Sequence, residues 1–301
     1  MIGEIYLAGT INKDTVTNPD GLIFNSFGGL LYSLIPLAQL VPNTEIVPIV
    51  NLGRDCSEDV LGILRKYTNI KTDHIAIVEQ ENNHCHLTYT SQESKTEILS
   101  GGVPPLEYAA LSAARGSGLF VMNFISGFDV TAETLIKFRS RYRGKIYMDL
   151  HSLTLGKHPD GRRYFRKPDN WRDYCTCADF LQMNAEEFKL VHGADLTIAN
   201  QITLFSEFRE RYLKALLVTC GSEGAYLTYE AGGQTECLHI PTQPAAQDAD
   251  TTGCGDIFGA AFCAGLVIET DFERSVRLAV QTASLACKFK GVETLKFNPL
   301  N

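Results

Sequence analysis

The chain has 301 residues, of which 45% are hydrophobic and 21% are charged, a balance typical of a globular protein and not of a disordered one. Its 27 basic and 35 acidic side chains give a net charge of −8, which argues against nucleic acid as a partner, because phosphate binding requires a basic surface. The same charge argues against an anionic membrane surface, and no apolar run approaches the ~20 residues that span a bilayer.

The first residues, MIGEIYLAGTINKD, lack the pattern of a signal peptide. Nine cysteines, an odd number, are scattered through apparent strands and helices. In a chain of this length they are typical of buried thiols in a reducing compartment and not of a disulfide framework. We therefore expect a cytoplasmic protein.

Apolar strands alternate with helical patterns along most of the chain. In chain order, strands are predicted at 4–9, 45–53, 118–125, 144–150, 178–184, 214–221 and 224–230, and helices at 57–67, 131–142, 184–193, 196–212, 254–268 and about 271–289. This alternation is typical of βαβ units. It predicts an α/β fold with a mainly parallel central sheet covered on both faces.

Two regions do not fit this alternation. Residues 74–100 alternate apolar and polar at a period of two, and 22–27 have strand-like composition. They predict a small separate sheet, and a sheet that projects from an α/β core is often a lid. We therefore predict one domain, 1–301, with lid strands drawn from about 22–28 and 74–100. The exposed sheet would offer a surface for a homodimer.

A glycine-rich stretch, 250–256, directly precedes the apolar helix predicted at 254–268. A helix start leaves backbone N–H groups unpaired, and Gly253 and Gly255 let a ligand approach the backbone closely. The stretch is therefore suited to an anion hole. Asp256, in the first turn, is either an electrostatic cap of the helix or a base beside a bound phosphate, and the stretch alone allows both.

The run Asp250-Thr251-Thr252-Gly253-Cys254-Gly255-Asp256 resembles the D-T-x-G-A-G-D signature of the ribokinase-like (PfkB) carbohydrate kinases, with Cys254 in place of alanine. The resemblance implies a three-layer αβα fold with a small β lid. It also implies ATP-dependent phosphorylation of a sugar-like alcohol, with Asp256 as general base. The amides of Gly253, Cys254 and Gly255 would form the anion hole, and because these are backbone groups the Cys254 exchange leaves the chemistry intact.

Other segments resemble motifs of the same family in the same order. The resemblance implies that Asn12 and Asp14 bind sugar hydroxyls, although the residues alone also suit an Asx turn that ends the first strand. It implies that Gly28 and Gly29 let the acceptor rest against the backbone. The family's lysine and asparagine after this pair are absent from the run Leu30-Leu31-Tyr32-Ser33. The acceptor could therefore be a less polar polyol, a sugar derivative or a nucleoside.

The remaining motifs concern the phosphate donor. The resemblance implies that Asn184 lies near ATP and that Glu187 holds Mg²⁺ through water, although the pair also fits a helix capping box. It implies nucleotide contact by the turn containing Thr219, Gly221 and Gly224, which alone would suit a hairpin connection. It also implies a monovalent cation such as K⁺ at Asp250 and Thr252, as in several members.

Two alternatives to a sugar kinase stay open. A nucleoside kinase of the same fold would differ only in the acceptor pocket. A non-catalytic relative would bind nucleotide and regulate, although the presence of both Asp256 and Glu187 argues against it. The basic segment 157–174 has two interpretations, a solvated surface or a site for phosphates or a partner.

Overall fold

The strands and helices follow the predicted alternation, in a computed structural model that describes residues 3–89, 95–242, 250–268 and 271–300. The strands are β1 (Glu4–Ala8), β2 (Ile11–Thr17), β3 (Ile23–Gly29), β4 (Glu45–Gly53), β5 (Ile75–Val78), β6 (His84–Tyr89), β7 (Lys95–Ser100), β8 (Leu119–Asn123), β9 (Lys145–Asp149), β10 (Leu155–Lys157), β11 (Arg163–Phe165), β12 (Phe180–Asn184), β13 (Ala215–Thr219), β14 (Ala225–Ala231) and β15 (Gln234–Ile240). The helices are α1 (Leu31–Leu40), α2 (Ser57–Leu64), α3 (Tyr108–Leu111), α4 (Ala132–Arg139), α5 (Trp171–Cys175), α6 (Ala185–His192), α7 (Ile198–Phe208), α8 (Cys254–Ile268) and α9 (Phe272–Ala286). No helix in these ranges is long and apolar enough to cross a membrane.

A large sheet forms the centre of the fold, with its strands in the order β15-β14-β13-β12-β9-β8-β1-β4-β5. Neighbouring strands are parallel from β5 to β13, and β14 and β15 extend the edge in antiparallel pairing. The inner strands are short apolar runs, such as the fully buried Leu119–Asn123, because helices cover both of their faces. The predicted mainly parallel sheet is confirmed.

Two hydrophobic clusters lie on opposite faces of this sheet. One joins α1, α2, α8 and α9 through side chains such as Leu34, Phe262 and Val276. The other joins α4 to α7 through side chains such as Leu135, Phe188 and Phe205. The molecule is therefore a three-layer αβα structure, as predicted.

A separate small sheet has the strand order β3-β2-β6-β7, and we call it the lid. Its strands β3, β6 and β7 come from the two regions predicted to form it, whereas β2 was not predicted as a lid strand. Ile75–Val78, from the same predicted region, instead pairs in parallel with β4 at the edge of the large sheet. Alternation alone does not specify which sheet a strand joins. Residues 90–94 of the predicted lid range lie outside the described residues.

The basic segment that begins at Lys157 is partly structural. Strands β10 and β11 form a hairpin that joins the lid edge, where the amide of Leu99 donates to the carbonyl of Gly161 at 2.9 Å. The buried guanidinium of Arg163 donates to the carbonyl oxygen of Ser126 at 2.8 Å. The hairpin therefore ties the lid to the loop that follows β8.

Candidate active site

One cavity of about 500 Å³ brings the lid, the carboxyl ends of the central strands and the start of α8 together. Every predicted site residue lines it except Gly28, Glu187 and Asp250. Each of these three contacts a lining residue: Gly28 faces Asp14, Glu187 is hydrogen-bonded to Asn184, and Asp250 accepts from the amide of Thr252. The motifs, which are far apart in the chain, therefore meet at one place. Ligands commonly bind at this carboxyl edge in open α/β sheets.

Asp256 lies in the first turn of α8 and is buried, with 6% of its surface exposed. The carboxamide of Asn123, at the end of β8, donates to its Oδ1 at 3.1 Å and to the hydroxyl of Ser33 at 2.9 Å. Ser33 in turn donates to the Asp256 carbonyl oxygen at 3.5 Å. Asn123 therefore orients the carboxylate, and Ser33 in α1 joins Asn123 to the backbone of α8.

Three buried carboxyl groups, those of Asp256, Glu187 and Asp149, interact with one another, and burial favours their neutral forms. Burial raises the pKa of Asp256 well above its usual range, and the nearby carboxylates of Asp149 and Asp14 raise it further. Burial likewise raises the pKa of Glu187, again helped by Asp149. It raises the pKa of Asp149 to about 7, although hydrogen bonds from Gln182 and the His151 backbone oppose the change. Such a cluster favours a ligand that brings positive charge or donors.

The Asp149 carboxyl group should make the stability of the ligand-free protein depend on pH. The pKa of Asp149 is about 7 in the folded protein, which is higher than in the unfolded chain. The free energy of unfolding therefore decreases as the pH rises from the unfolded pKa to the folded one. We expect Asp149→Asn to be more stable than the parent at pH 8 by roughly 1–3 kcal/mol, with a smaller difference at pH 5. Urea unfolding at both pH values measures this. Asp73→Asn, at an exposed aspartate, is the matched control. Equal destabilisation of Asp149→Asn at both pH values would contradict the prediction.

In the glycine-rich stretch predicted to form an anion hole, one of the three backbone amides already donates a hydrogen bond within the protein. Gly253 has a φ of +73°, and a side chain there would meet the ring of Tyr32 at 2.3 Å, so glycine is required. The amide of Cys254 donates to the carbonyl oxygen of Thr251 at 3.2 Å. In the described part of the chain, the amides of Gly253 and Gly255 form no hydrogen bond with another residue. These two donors are therefore available, and that of Cys254 becomes so only if the turn moves.

Asn12 and Asp14 lie on β2, on the face of the lid that lines the cavity, and not in a turn that ends the first strand. Both are buried, and Asn12 Oδ1 finds no hydrogen-bond partner among the described residues. A side chain at Gly28 would meet the Asp14 carboxylate at 2.0 Å, and Gly29 has a φ of +60°. An unpaired buried oxygen at a cavity wall suits a hydroxyl donor from a ligand.

The opposite end of the cavity is formed by the turn after β13 and by α9. Thr219, Gly221, Ser222 and Gly224 line it, and a side chain at Gly224 would meet the carbonyl oxygen of Ile240 at 2.1 Å. Val280 and Ala283 add an apolar wall. Among the described residues, neither lysine nor arginine lines the cavity. This end suits a flat apolar group with few charges.

The capping-box interpretation of Asn184 and Glu187 describes the structure accurately. Glu187 accepts from the Asn184 amide at 2.8 Å and from its carboxamide at 2.7 Å, while the Glu187 amide donates to Asn184 Oδ1 at 2.9 Å. No group of three or more His, Cys, Asp or Glu that could hold a metal ion occurs in the residues that the structure describes. Oxygen donors nevertheless suit Mg²⁺, which commonly retains several of its waters.

Several site residues were not predicted from the sequence. They are Tyr32, Ser33, Asn123, Asp149, His151 and Gln182. Asn123 and Asp149 end apolar strands, and a polar residue at the carboxyl end of a buried strand is the signal that could have found them. Gln182 donates to Asp149 at 2.7 Å and to the Gly255 carbonyl at 3.0 Å, and thereby connects the acid cluster with α8. Only the register of β9 and β12 reveals that role.

Comparisons with known proteins agree with this geometry. Residues 159–297 match the family model described as pfkB family carbohydrate kinase. Ribokinase from Arabidopsis thaliana is 33% identical over 114 residues, which are 38% of this chain and 29% of that protein. Cytidine kinase from Thermococcus kodakarensis is 23% identical over 291 residues, 93% of this chain and 94% of that protein. The resemblance to the ribokinase-like (PfkB) family is confirmed.

The ribokinase-like fold is shared over almost the whole chain. The structure of Arabidopsis thaliana ribokinase complexed with ribose and ATP has a TM-score of 0.75, covers 98% of this chain and 96% of that one, and is 18% identical. At this identity the likeness concerns the fold. In the sequence comparison, the chain aligns with only 29% of the length of the curated Arabidopsis thaliana ribokinase.

Proposed function

We propose that the protein is an ATP-dependent kinase that transfers the γ-phosphate to a hydroxyl of a sugar or sugar-like small molecule. The observation that carries this proposal is the position of Asp256. Its buried carboxylate lies at the start of α8, in one cavity with the lid residues Asn12 and Asp14 and with the turn containing Thr219. The proposed base, the proposed anion hole and the surfaces proposed for the phosphate acceptor and the phosphate donor therefore line one cavity.

In the proposed reaction, Asp256 takes the proton of the acceptor hydroxyl as its oxygen attacks the γ-phosphorus in line. Asn123 keeps the carboxylate oriented through its 3.1 Å hydrogen bond. The free amides of Gly253 and Gly255 stabilise charge that develops on the transferred group. The Cys254 amide joins them only after it leaves the Thr251 carbonyl.

The acidic residues support a role for Mg²⁺. We propose that Glu187 holds the ion through water, with Asp149 on the same side of the site. When bound, Mg²⁺ neutralises charge on the donor phosphates. Burial raises the pKa of both Glu187 and Asp149, and the nearby Asp149 carboxylate raises that of Glu187 further, so a bound cation would stabilise the charged forms of both groups. K⁺ at Asp250 and Thr252 stays a prediction.

The end of the cavity formed by the turn after β13 and by α9, which we call the donor end, supports ATP as the phosphate donor. Thr219, Gly221 and Gly224 form a turn with an open backbone, and Val280 and Ala283 offer an apolar surface to a nucleobase. Asn184 lies between this end and the acid cluster, where the triphosphate would extend. The similarity to the ribokinase whose structure holds ribose and ATP supports the same donor.

The acceptor end favours an uncharged molecule. Asn12 Oδ1 and the Asp14 carboxylate offer acceptors for hydroxyl donors. No lysine or arginine among the described residues lines the cavity, so none of them is placed to pair with the phosphate of a sugar phosphate. A nucleoside is the second candidate, because Leu87 and Tyr89 on the lid form an apolar face for a base. The similarity to cytidine kinase supports it. A homodimer through the lid stays a prediction.

An acceptor panel tests the proposal. We expect ADP formation from ATP and Mg²⁺ with at least one unphosphorylated sugar, polyol or nucleoside, and none with sugar phosphates, because the described residues that line the cavity include neither lysine nor arginine. A coupled ADP assay with each acceptor, and product mass to identify the phosphorylated compound, measure this. Turnover with sugar phosphates alone would contradict the acceptor assignment. Tight ATP binding without turnover on any acceptor would support the non-catalytic alternative.

A further inference from the structure

Two thiols meet inside the cavity, close to the proposed anion hole. The sulfur atoms of Cys254 and Cys287 lie 3.4 Å apart, in hydrogen-bond contact. Both point at the same backbone carbonyl, that of Ala283, at 3.7 and 3.5 Å respectively. Both residues are partly exposed and line the cavity, so a small molecule in the cavity can reach them.

The backbone around this thiol pair is also joined. Cys254 is the first residue of α8, and Cys287 directly follows α9. The amide of Asp250 donates to the Cys287 carbonyl oxygen at 3.1 Å, so the start of the glycine-rich stretch rests on the end of α9. A bond between the sulfurs would fix the turn that leads into α8 against α9.

The Cys254 thiol has no part in the proposed anion hole, which uses the backbone amide of this residue. Alanine is the family's residue at this position, as the signature quoted above shows. Packing of a small apolar group explains a cysteine there only in part, because the residue is partly exposed and its sulfur lies against a second sulfur. Packing alone therefore does not explain why these two cysteines lie together at the cavity.

We propose that Cys254 and Cys287 are a reversible oxidation site, whose disulfide shuts off the phosphoryl transfer proposed above. The oxidant is a small-molecule disulfide. One cysteine thiolate attacks it, a mixed disulfide forms, and one small thiolate leaves; the second cysteine thiolate then attacks the protein sulfur and expels the other. The two cysteines lose two electrons and two protons, and the two released thiolates take up those protons. The sulfur atoms must approach from 3.4 Å to a bond length of about 2.05 Å.

The disulfide would inhibit through the first turn of α8. In the reduced protein the Cys254 amide donates to Thr251, and this turn must shift before that amide can face a phosphate. A bond from Cys254 to the end of α9 opposes this shift. It also moves the Cys254 sulfur within the end of the cavity that is formed by the turn after β13 and by α9. A displacement of reacting groups on the order of 1 Å costs about 100-fold in rate.

The covalent step is tested on the whole chain without any assay of turnover. We expect oxidised glutathione to lower the intact mass by about 2 Da, through loss of two hydrogens, and dithiothreitol to reverse this. Digestion without reductant should yield one linked peptide pair joining Cys254 to Cys287. The incubation lasts hours, because burial raises the pKa of the Cys254 thiol and slows its attack. A linkage elsewhere, or stable glutathione adducts only, would overturn the assignment of the site.

The functional step uses the ratio of oxidised to reduced activity within each variant. In the parent protein we expect a loss of about 100-fold that dithiothreitol restores. Cys287→Ala removes one partner and should bring the ratio close to one. Cys237→Ala, at a partly exposed cysteine on β15 that does not line the cavity, is the matched control and should behave like the parent. A disulfide that leaves the parent's activity unchanged would overturn the inhibitory role.

The two proposals fail in different ways. If the reduced protein phosphorylates no acceptor, the proposed function fails, and the oxidation is then followed by calorimetric ATP binding. Weaker binding by the oxidised parent, with no change in Cys287→Ala, would support the oxidation site independently. Equal ATP binding by both forms would overturn the effect of the disulfide on the cavity, whereas the mass and peptide measurements decide the site itself.

Discussion

Replacing Asp256 by asparagine should lower turnover by about 1000-fold and leave the fold intact, because asparagine has the shape of aspartate but cannot take a proton. Its amide oxygen can still accept the 3.1 Å hydrogen bond from Asn123. The substitution also removes a buried carboxyl group whose pKa burial and Asp149 raise, so we expect no loss of stability at neutral pH. Steady-state kinetics with the best acceptor, together with calorimetric ATP binding, measure the two expectations separately.

This substitution distinguishes a base from a helix cap. A carboxylate that only caps the helix electrostatically stabilises it by about 0.3–1 kcal/mol, so its loss would leave turnover almost unchanged. Asp271 provides the matched control, since its side chain caps α9 by accepting from the Arg274 amide at 3.0 Å. We expect Asp271→Asn to keep its turnover. If Asp256→Asn retains more than a tenth of the parent's turnover, the assignment of Asp256 as the base is wrong.

The fold could be predicted from the sequence largely because its signals are local. Apolar runs such as 118–125 and helical patterns such as 131–142 specify a strand and a helix without reference to distant residues. Strand β15 was missed because its sequence, QTECLHI, has few apolar residues, and it is a strand through its pairing with β14. Strand β2, with the sequence INKDTVT, has few apolar residues. It is a strand because it pairs with β3 and β6, which the local pattern cannot show.

The glycine-rich stretch could be interpreted from the sequence for the same reason, since glycines before a helix directly indicate a particular backbone conformation. The residues that support Asp256 and Asp149 could not be predicted from the sequence. Asn123 and Gln182 act on Asp256 and Asp149 only because β8, β9 and β12 are neighbours in a particular register. The use of the Cys254 amide by Thr251 is likewise a property of the folded turn.

Tyr32 shows the limit of interpretation by residue type. In the sequence it stands in the apolar run that follows Gly28 and Gly29, where it suggested only a less polar acceptor. In the structure its ring packs against Gly253, and burial, together with the carboxylates of Asp14 and Asp250, raises the pKa of its phenol. The phenol therefore stays protonated at neutral pH. Tyr32 is a wall of the site that also supports the backbone of the anion hole.

Replacing Gly253 by alanine should lower turnover by about 100-fold, because the new methyl group cannot share space with the Tyr32 ring. An ideal Cβ would lie 2.3 Å from two ring carbons, and the φ of +73° is strained for any residue with a side chain. We expect a loss of stability of about 1–2 kcal/mol as well, since the turn must change its backbone conformation. Kinetics and urea unfolding of the same preparation measure both effects.

Gly255→Ala is the matched comparison within the same stretch. A Cβ there would lie 4.0 Å from Gln182 Nε2, in ordinary contact, and the backbone donor is retained. We therefore expect a much smaller loss than for Gly253→Ala. The Tyr32 contact is tested by Tyr32→Ala in the Gly253→Ala background, which makes room for the methyl group. If the contact causes the loss, the double variant should be more active than the product of the two single effects predicts. If the effects of the two substitutions on activity are strictly additive, the loss comes from the φ requirement alone. Equal losses of turnover in Gly253→Ala and Gly255→Ala would show that the ring contact is not what makes Gly253 necessary.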